Sequence, residues 1–204
     1  NLSLIDGGGN SVLGNSGIYI KSDATEILSP YWQIADGVTT ATATQLAAFH
    51  GVTQAALEIH NPGSIGTAVR LWNHTSADNQ RLLPKIVGND AVFATKTFTR
   101  ADVPDGWGGD DVFGISMAGA STDPRLNAVG SVVVPGTQQG QAVKMFQAYD
   151  SHGNILPNVY LGAMDYAGIN YDYNDNLFIF EGIKPVGVGP TAALAHTWPA
   201  PEGS

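Results

Sequence analysis

Oxygen ligands crowd one stretch of this chain. Between Asp165 and Leu177 stand three aspartates, three asparagines and three tyrosines, just before the apolar run Leu177 to Phe180. Asn170, Asp172, Asn174 and Asn176 recur at every second position, with Asp165 ahead of them and Asp175 between the last pair. Calcium takes about six to eight oxygens from carboxylates, amides and backbone carbonyls, and a tight loop can turn alternate positions toward one centre. The loop is not an EF-hand. Counted from Asp172, the positions that need glycine and glutamate hold Leu177 and Ile183. Asn and Asp also build turns without metal, because they tolerate left-handed backbone. The expected site is a calcium loop of Asp165, Asn170, Asp172, Asn174, Asp175 and Asn176, with a metal-free turn as the competing reading.

A second acidic stretch, Asp102 to Asp111, reads DVPDGWGGDD. Asp105, Asp110 and Asp111 form a possible second cation site. Paired with Asp172 and Asp175 they would instead suggest glycoside hydrolysis, which needs two carboxylates about 5–9.5 Å apart. Glutamate is scarce: Glu26, Glu58 and Glu181 precede the tail, and Glu181, in an apolar run, is expected to point outward. No two of the histidines (His50, His60, His74, His152, His196) have metal-protease spacing, and no serine has a nucleophile-elbow context. The expectation is a protein without catalytic activity.

Aromatic residues offer a different chemistry. Trp107 stands between glycines, and Trp72, Tyr171 and Tyr173 fall at strand ends or in loops. Rings with apolar faces and polar edges suit the C–H faces of sugars. These four are the candidate ligand platform, and rings that cap a core are the alternative.

Composition narrows the classes. With 204 residues the chain can bury one substantial core. Nine basic residues against 18 acidic ones, a net charge of −9, argue against a nucleic-acid partner, which needs clustered Lys and Arg. Cysteine is absent, which excludes disulfides and thiolate metal sites. No run approaches the roughly 20 apolar residues of a membrane span. Low charge with abundant Gly, Ser, Thr and Asn fits an exported bacterial protein, and a chain opening on Asn1 reads as a mature or trimmed form.

The elements that must position these residues are short β runs. Val38 to Phe49 has threonines at 39, 40, 42 and 44, which favour a strand over the helix its later alanines suggest. Gln54 to His60 is expected to form a hairpin-like pair with it. Asn61-Pro62-Gly63-Ser64 marks a turn, and Thr67 to Trp72 alternates as a half-buried strand does. Pro30 within Ile27 to Ile34 indicates an edge strand or bulge. Further runs lie at 82–87, 91–99, 112–117, 130–134, 141–149 and 155–164, and Leu177 to Ile183 is the expected central core strand. Many short strands with turn signals between them give an all-β fold, a β-sandwich or jelly roll. Residues 1–17 read as a flexible arm, 18–186 as the sandwich and 187–204 as a Pro/Gly/Ala-rich tail or linker.

The segments QAVKMFQAYDSHGNILPNVYLGAMDYAGINYDYNDNLFIFEGIKP at 141–185, LAAFH at 46–50 and RLLPKI at 81–86, with an echo in DGWGGDD at 105–111, carry a resemblance. The chain resembles the carboxy-terminal domain of large secreted bacterial proteins that also carry immunoglobulin-like, malectin-like or Kelch modules. The resemblance implies an extracellular, non-catalytic β module whose acidic loop, here Asp165, Asp172 and Asp175, structures a cation. The expected function is therefore a secreted, calcium-stabilised β-sandwich that binds a polysaccharide or cell-surface glycan or is adhesive. The alternative is a self-associating subunit of an extracellular filament or surface layer, built by strand donation.

Overall fold

Alternation sets the architecture. In a computed structural model, the described residues are 18–20, 26–48, 55–74, 81–82, 85–87, 90–92, 95–104, 107, 111–117, 119–127, 142–165, 173 and 175–187. They form β1 (Tyr31–Ile34), β2 (Thr40–Ala48), β3 (Ala55–Asn61), β4 (Ser64–His74), β5 (Arg81–Leu82), β6 (Lys85–Val87) and β7 (Asp90–Val92). They continue with β8 (Thr95–Thr99), β9 (Gly114–Met117), β10 (Ala120–Ser121), β11 (Val143–Tyr149), β12 (Ile155–Met164), β13 (Asn176–Glu181) and β14 (Ile183–Gly187). All the strand pairs are antiparallel, and two short 3-10 turns are the only helical pieces among the described residues.

The larger sheet has six strands in the order β11-β12-β13-β2-β5, with β8 also pairing β2. The smaller runs β10-β9-β3-β4, and β1 pairs β14. The main core lies between the two sheets. Leu57, Ile59, Ile115 and Met117 from the smaller sheet meet Ala41, Met145, Phe178 and Phe180 from the larger. The chain is an all-β sandwich.

Gly162 of β12 shows how tightly the sheets meet. A Cβ there would stand 2.6 Å from Met117 Cε, which belongs to the opposite sheet, and 2.6 Å from Phe180 Cε2. Gly182 makes the sharp turn from β13 to β14 at φ +79°, and a Cβ on it would meet Thr40 O at 2.6 Å. A left-handed backbone with a carbonyl that close admits little but glycine.

The threonines of β2 explain why this segment is a strand. Ala41 and Ala43 are buried inward, while the Thr42 and Thr44 hydroxyls meet Thr97 and Thr95 of β8 at 3.4 and 3.2 Å on the exposed face. β13 lies at the centre of its sheet, as its apolar run indicates, and Glu181 is exposed. One pairing differs from the sequence expectation. β3 does not form a hairpin with β2; it pairs β4 and β9 in the other sheet. β2 places its alanines inward in one layer and β3 places Leu57 and Ile59 inward in the other, so the chain crosses the sandwich between them. The expected run at 130–134, the arm at 1–17 and tail residues 188–204 lie outside the described residues. β14 itself runs to Gly187.

The larger sheet is covered on its outer face too. A second apolar cluster joins Phe146 and Ala148, Leu161 and Ala163, and Leu177 and Ile179 with Tyr173 and Ile18. β11 thus serves both cores: Val143 and Met145 face the main core, and Phe146 and Ala148 face the second.

Candidate functional site: the acidic hairpin loop

β12 and β13 carry the acidic loop between them, with Met164 paired to Asn176 at its foot. Asp165 N–H donates to Ala142 O at 2.9 Å, and Asp175 N–H donates to Met164 O at 3.0 Å. The backbone thus brings two carboxylate residues to one place, and both are buried, Asp165 at 0% and Asp175 at 9% exposure. Two carboxylates withdrawn from water require compensating positive charge or donors.

Asn176 does not join them. Its Oδ1 accepts from Gln45 Nε2 at 3.1 Å and its Nδ2 lies 3.6 Å from Met164 Sδ, so its amide is committed across the sheet. Strand alternation, carried one residue past the end of β13, places Asp175 on the opposite face. Asn170, Asp172, Asn174 and Tyr171 lie outside the described residues. Among the described residues no three His, Asp or Glu side chains converge on one point. Of the expected calcium loop, the described residues thus include two buried carboxylates at its foot, Asp165 and Asp175, and an Asn176 whose amide is committed to Gln45 and Met164.

Tyr173 is not a solvent-facing platform. It is fully buried in the second apolar cluster, with left-handed backbone at φ 55°. Lys144 Nζ lies 4.5 Å from its ring centroid and 3.9 Å from Glu26 Oε2. Burial pushes the Glu26 carboxyl up to about 7, while the Lys144 charge pulls the other way.

The described carboxylates of the second acidic stretch, Asp102 and Asp111, take part in local structure. Asp102 Oδ2 accepts from Thr99 N–H at 2.7 Å and from the Thr99 hydroxyl at 3.2 Å, capping the 3-10 turn at 100–102. Asp111 adopts φ 59° and faces Arg100 Nε at 4.0 Å. Asp105 and Asp110 lie outside the described residues. Trp107 is 5% exposed within the main core, so its ring packs the sandwich and is not offered to a ligand. Trp72 belongs to β4, the outermost strand of the smaller sheet.

A buried polar network escapes the sequence reading. His60 Nδ1 lies 2.9 Å from Asn61 O and Nε2 lies 2.7 Å from Ser121 Oγ. With the proton on Nδ1 donated to that carbonyl, Nε2 accepts from the serine hydroxyl. Ser121 Oγ accepts in turn from Asp123 N–H at 2.9 Å. Tyr31 Oη donates to Asp123 Oδ2 at 2.6 Å, and Arg125 reaches both Asp123 oxygens, at 3.1 and 2.9 Å.

Burial alone would raise the Asp123 carboxyl; hydrogen bonds from Arg125 and Tyr31 outweigh it and hold the group below the usual range. Burial pushes the Tyr31 phenol up to about 12, helped by Asp123, and lowers His60. A serine on a histidine acceptor resembles a nucleophile with its base. Here His60 and Ser121 are 0% and 1% exposed, and the His60 ring lies directly over Gly114. No substrate reaches atoms so enclosed. The network ties β1, β3 and β10 together. Asp123-Pro124, an N-cap followed by proline at N1, is its sequence-level trace.

Comparison with known protein families, curated proteins and solved structures finds no match for this chain. No helix among the described residues is long and apolar enough to cross a membrane.

Proposed function

We propose that this chain is a non-catalytic, calcium-stabilised β-sandwich module of a secreted protein, with an adhesive or carbohydrate-binding role. The observation that carries the reading is that Asp165 and Asp175 flank the acidic loop at its foot, both buried, with Asp175 N–H bonded to the carbonyl of Met164. Calcium bound there would offset the negative charge of two buried carboxylates. Asp165 and Asp175 would hold it at the foot of the loop, and Asn170, Asp172 and Asn174 carry further oxygens of the kind calcium takes.

Stabilisation of the hairpin is the metal's role in this reading. β13 is the central strand, so the loop that leads into it controls the register of β12 against β13. With Trp107 and Tyr173 committed to the two cores, a glycan contact falls to Trp72 and Tyr171. A glycan array probed with the calcium-loaded protein tests this part: retention that Trp72→Ala or Tyr171→Ala weakens supports it, and no retention on any glycan leaves adhesion to protein surfaces in its place.

A further inference from the structure

Part of the cover of the outer sheet face comes from the segment ahead of β1. Residues 18–20 and 26–27 lie along β11, the terminal strand of the larger sheet. Tyr19 and Tyr149 exchange both backbone hydrogen bonds, at 2.8 and 2.9 Å, and Ile27 N–H donates to Met145 O at 2.8 Å. Ile18 is 7% exposed against the second cluster, and Ile20 packs beside it. Without this strap, β11 would present a bare hydrogen-bonding edge beside an apolar face, which is the combination that recruits another strand.

Among the described residues the strap meets β11 at two isolated antiparallel bridges, Tyr19 with Tyr149 and Glu26 with Phe146. It joins β1 through a tight turn in which Ser29 N–H donates to Ile27 O at 3.0 Å, just before Pro30. Pro30 is anchored to the sandwich by its carbonyl, which accepts from Thr122 Oγ1 at 2.8 Å. The strap is therefore joined to β1 through residues 28–30.

We propose that the β11 edge is an exchange site for a second copy of this chain, whose strap pairs with it and covers its outer face. An identical strap remakes every contact of the original, so exchange costs little beyond association itself. The added strand supplies main-chain hydrogen bonds, and Ile18 and Ile20 supply the side chains that fill the face. A chain that gives its strap to one neighbour and accepts one from another extends a row of copies. A reciprocal pair closes as a dimer.

The natural absence of cysteine makes the test clean. Tyr19→Cys and Tyr149→Cys are placed in separate full-length chains, which are mixed at high concentration, incubated and oxidised. Hydrogen-bonded antiparallel partners stand about 5.5 Å apart at Cα, within disulfide reach. The control partner carries Thr97→Cys, an exposed position on β8. A chain carrying both Tyr19→Cys and Tyr149→Cys reports the pairing within one molecule. Exchange predicts a disulfide-linked heterodimer of Tyr19→Cys with Tyr149→Cys at least tenfold above the Thr97→Cys control, alongside an intrachain bond in the double variant. Heterodimer no more abundant than the control, with the intrachain bond formed, overturns the proposal. So does a double variant that folds without forming its bond.

Discussion

The Lys144 ammonium stands 4.5 Å from the centre of the Tyr173 ring. A loop rich in carboxylates thus turns one of its aromatic residues inward and rests it on a lysine of the neighbouring strand. Such a contact contributes about 0.5–2 kcal/mol, more as it loses water. Glu26 from the strap reaches the same ammonium, so strap, sheet and loop share one positive charge.

This arrangement gives a pH dependence with a definite sign. Burial raises Glu26 from 4.5 to about 7 in the folded protein. A carboxyl raised on folding contributes stability that is full below about 4.5 and is lost as pH rises through about 7. His60 acts oppositely: burial lowers it, so its contribution is present above the ordinary imidazole value and is lost as pH falls. Comparing variants at one pH separates the two. Glu26→Gln should equal or trail the parent at pH 5 and exceed it at pH 8.5, with a swing on the order of 1–3 kcal/mol in urea unfolding. Parallel pH profiles would show that Glu26 is solvated.

The buried network predicts an order of losses. Tyr31→Phe removes one donor from Asp123 and leaves Arg125 in place, costing about 1–2 kcal/mol. Asp123→Ala strands the Tyr31 hydroxyl and the Arg125 guanidinium together and should cost about 3–5 kcal/mol. Chemical denaturation measures both, and equal costs would contradict the central place of Asp123.

Sheet-to-sheet contact at Gly162 is testable by overpacking. Gly162→Ala should destabilise by about 1–3 kcal/mol, because Met117 Cε and Phe180 Cε2 occupy the space its Cβ needs. Met117→Ala empties part of that space, so the double variant should lose less than the sum of the single losses. Strict additivity would place Met117 elsewhere.

Strands were legible where local pattern and burial agree. Thr42 and Thr44 alternate with Ala41 and Ala43, and the half-exposed end of β2 needs that alternation. The run Leu177 to Phe180 is apolar at every position because cores lie on both sides of β13. Partners were less legible. Nearness in sequence suggests that β2 and β3 form a hairpin, but β3 pairs β4 and β9 instead, since inward Leu57 and Ile59 need the second layer.

At the site, the spacing of Asn176 with Asn170, Asp172 and Asn174 hid the fact that it lies within a strand, where Gln45 claims its amide. Trp107 and Tyr173 read as exposed because their neighbours are polar or glycine. Burial of those rings depends on sheets assembled from residues far away. The His60–Ser121 contact spans 61 positions and Tyr31–Asp123 spans 92, so no local motif announces either.

The most direct test of the calcium-stabilised hairpin is thermal unfolding with calcium and with excess chelator, on the parent and on Asp165→Asn with Asp175→Asn. The account predicts a higher melting temperature with calcium in the parent, and a calcium response lost or much reduced in the variant. Superimposed parent curves with and without calcium would contradict it and leave the acidic loop as a metal-free turn.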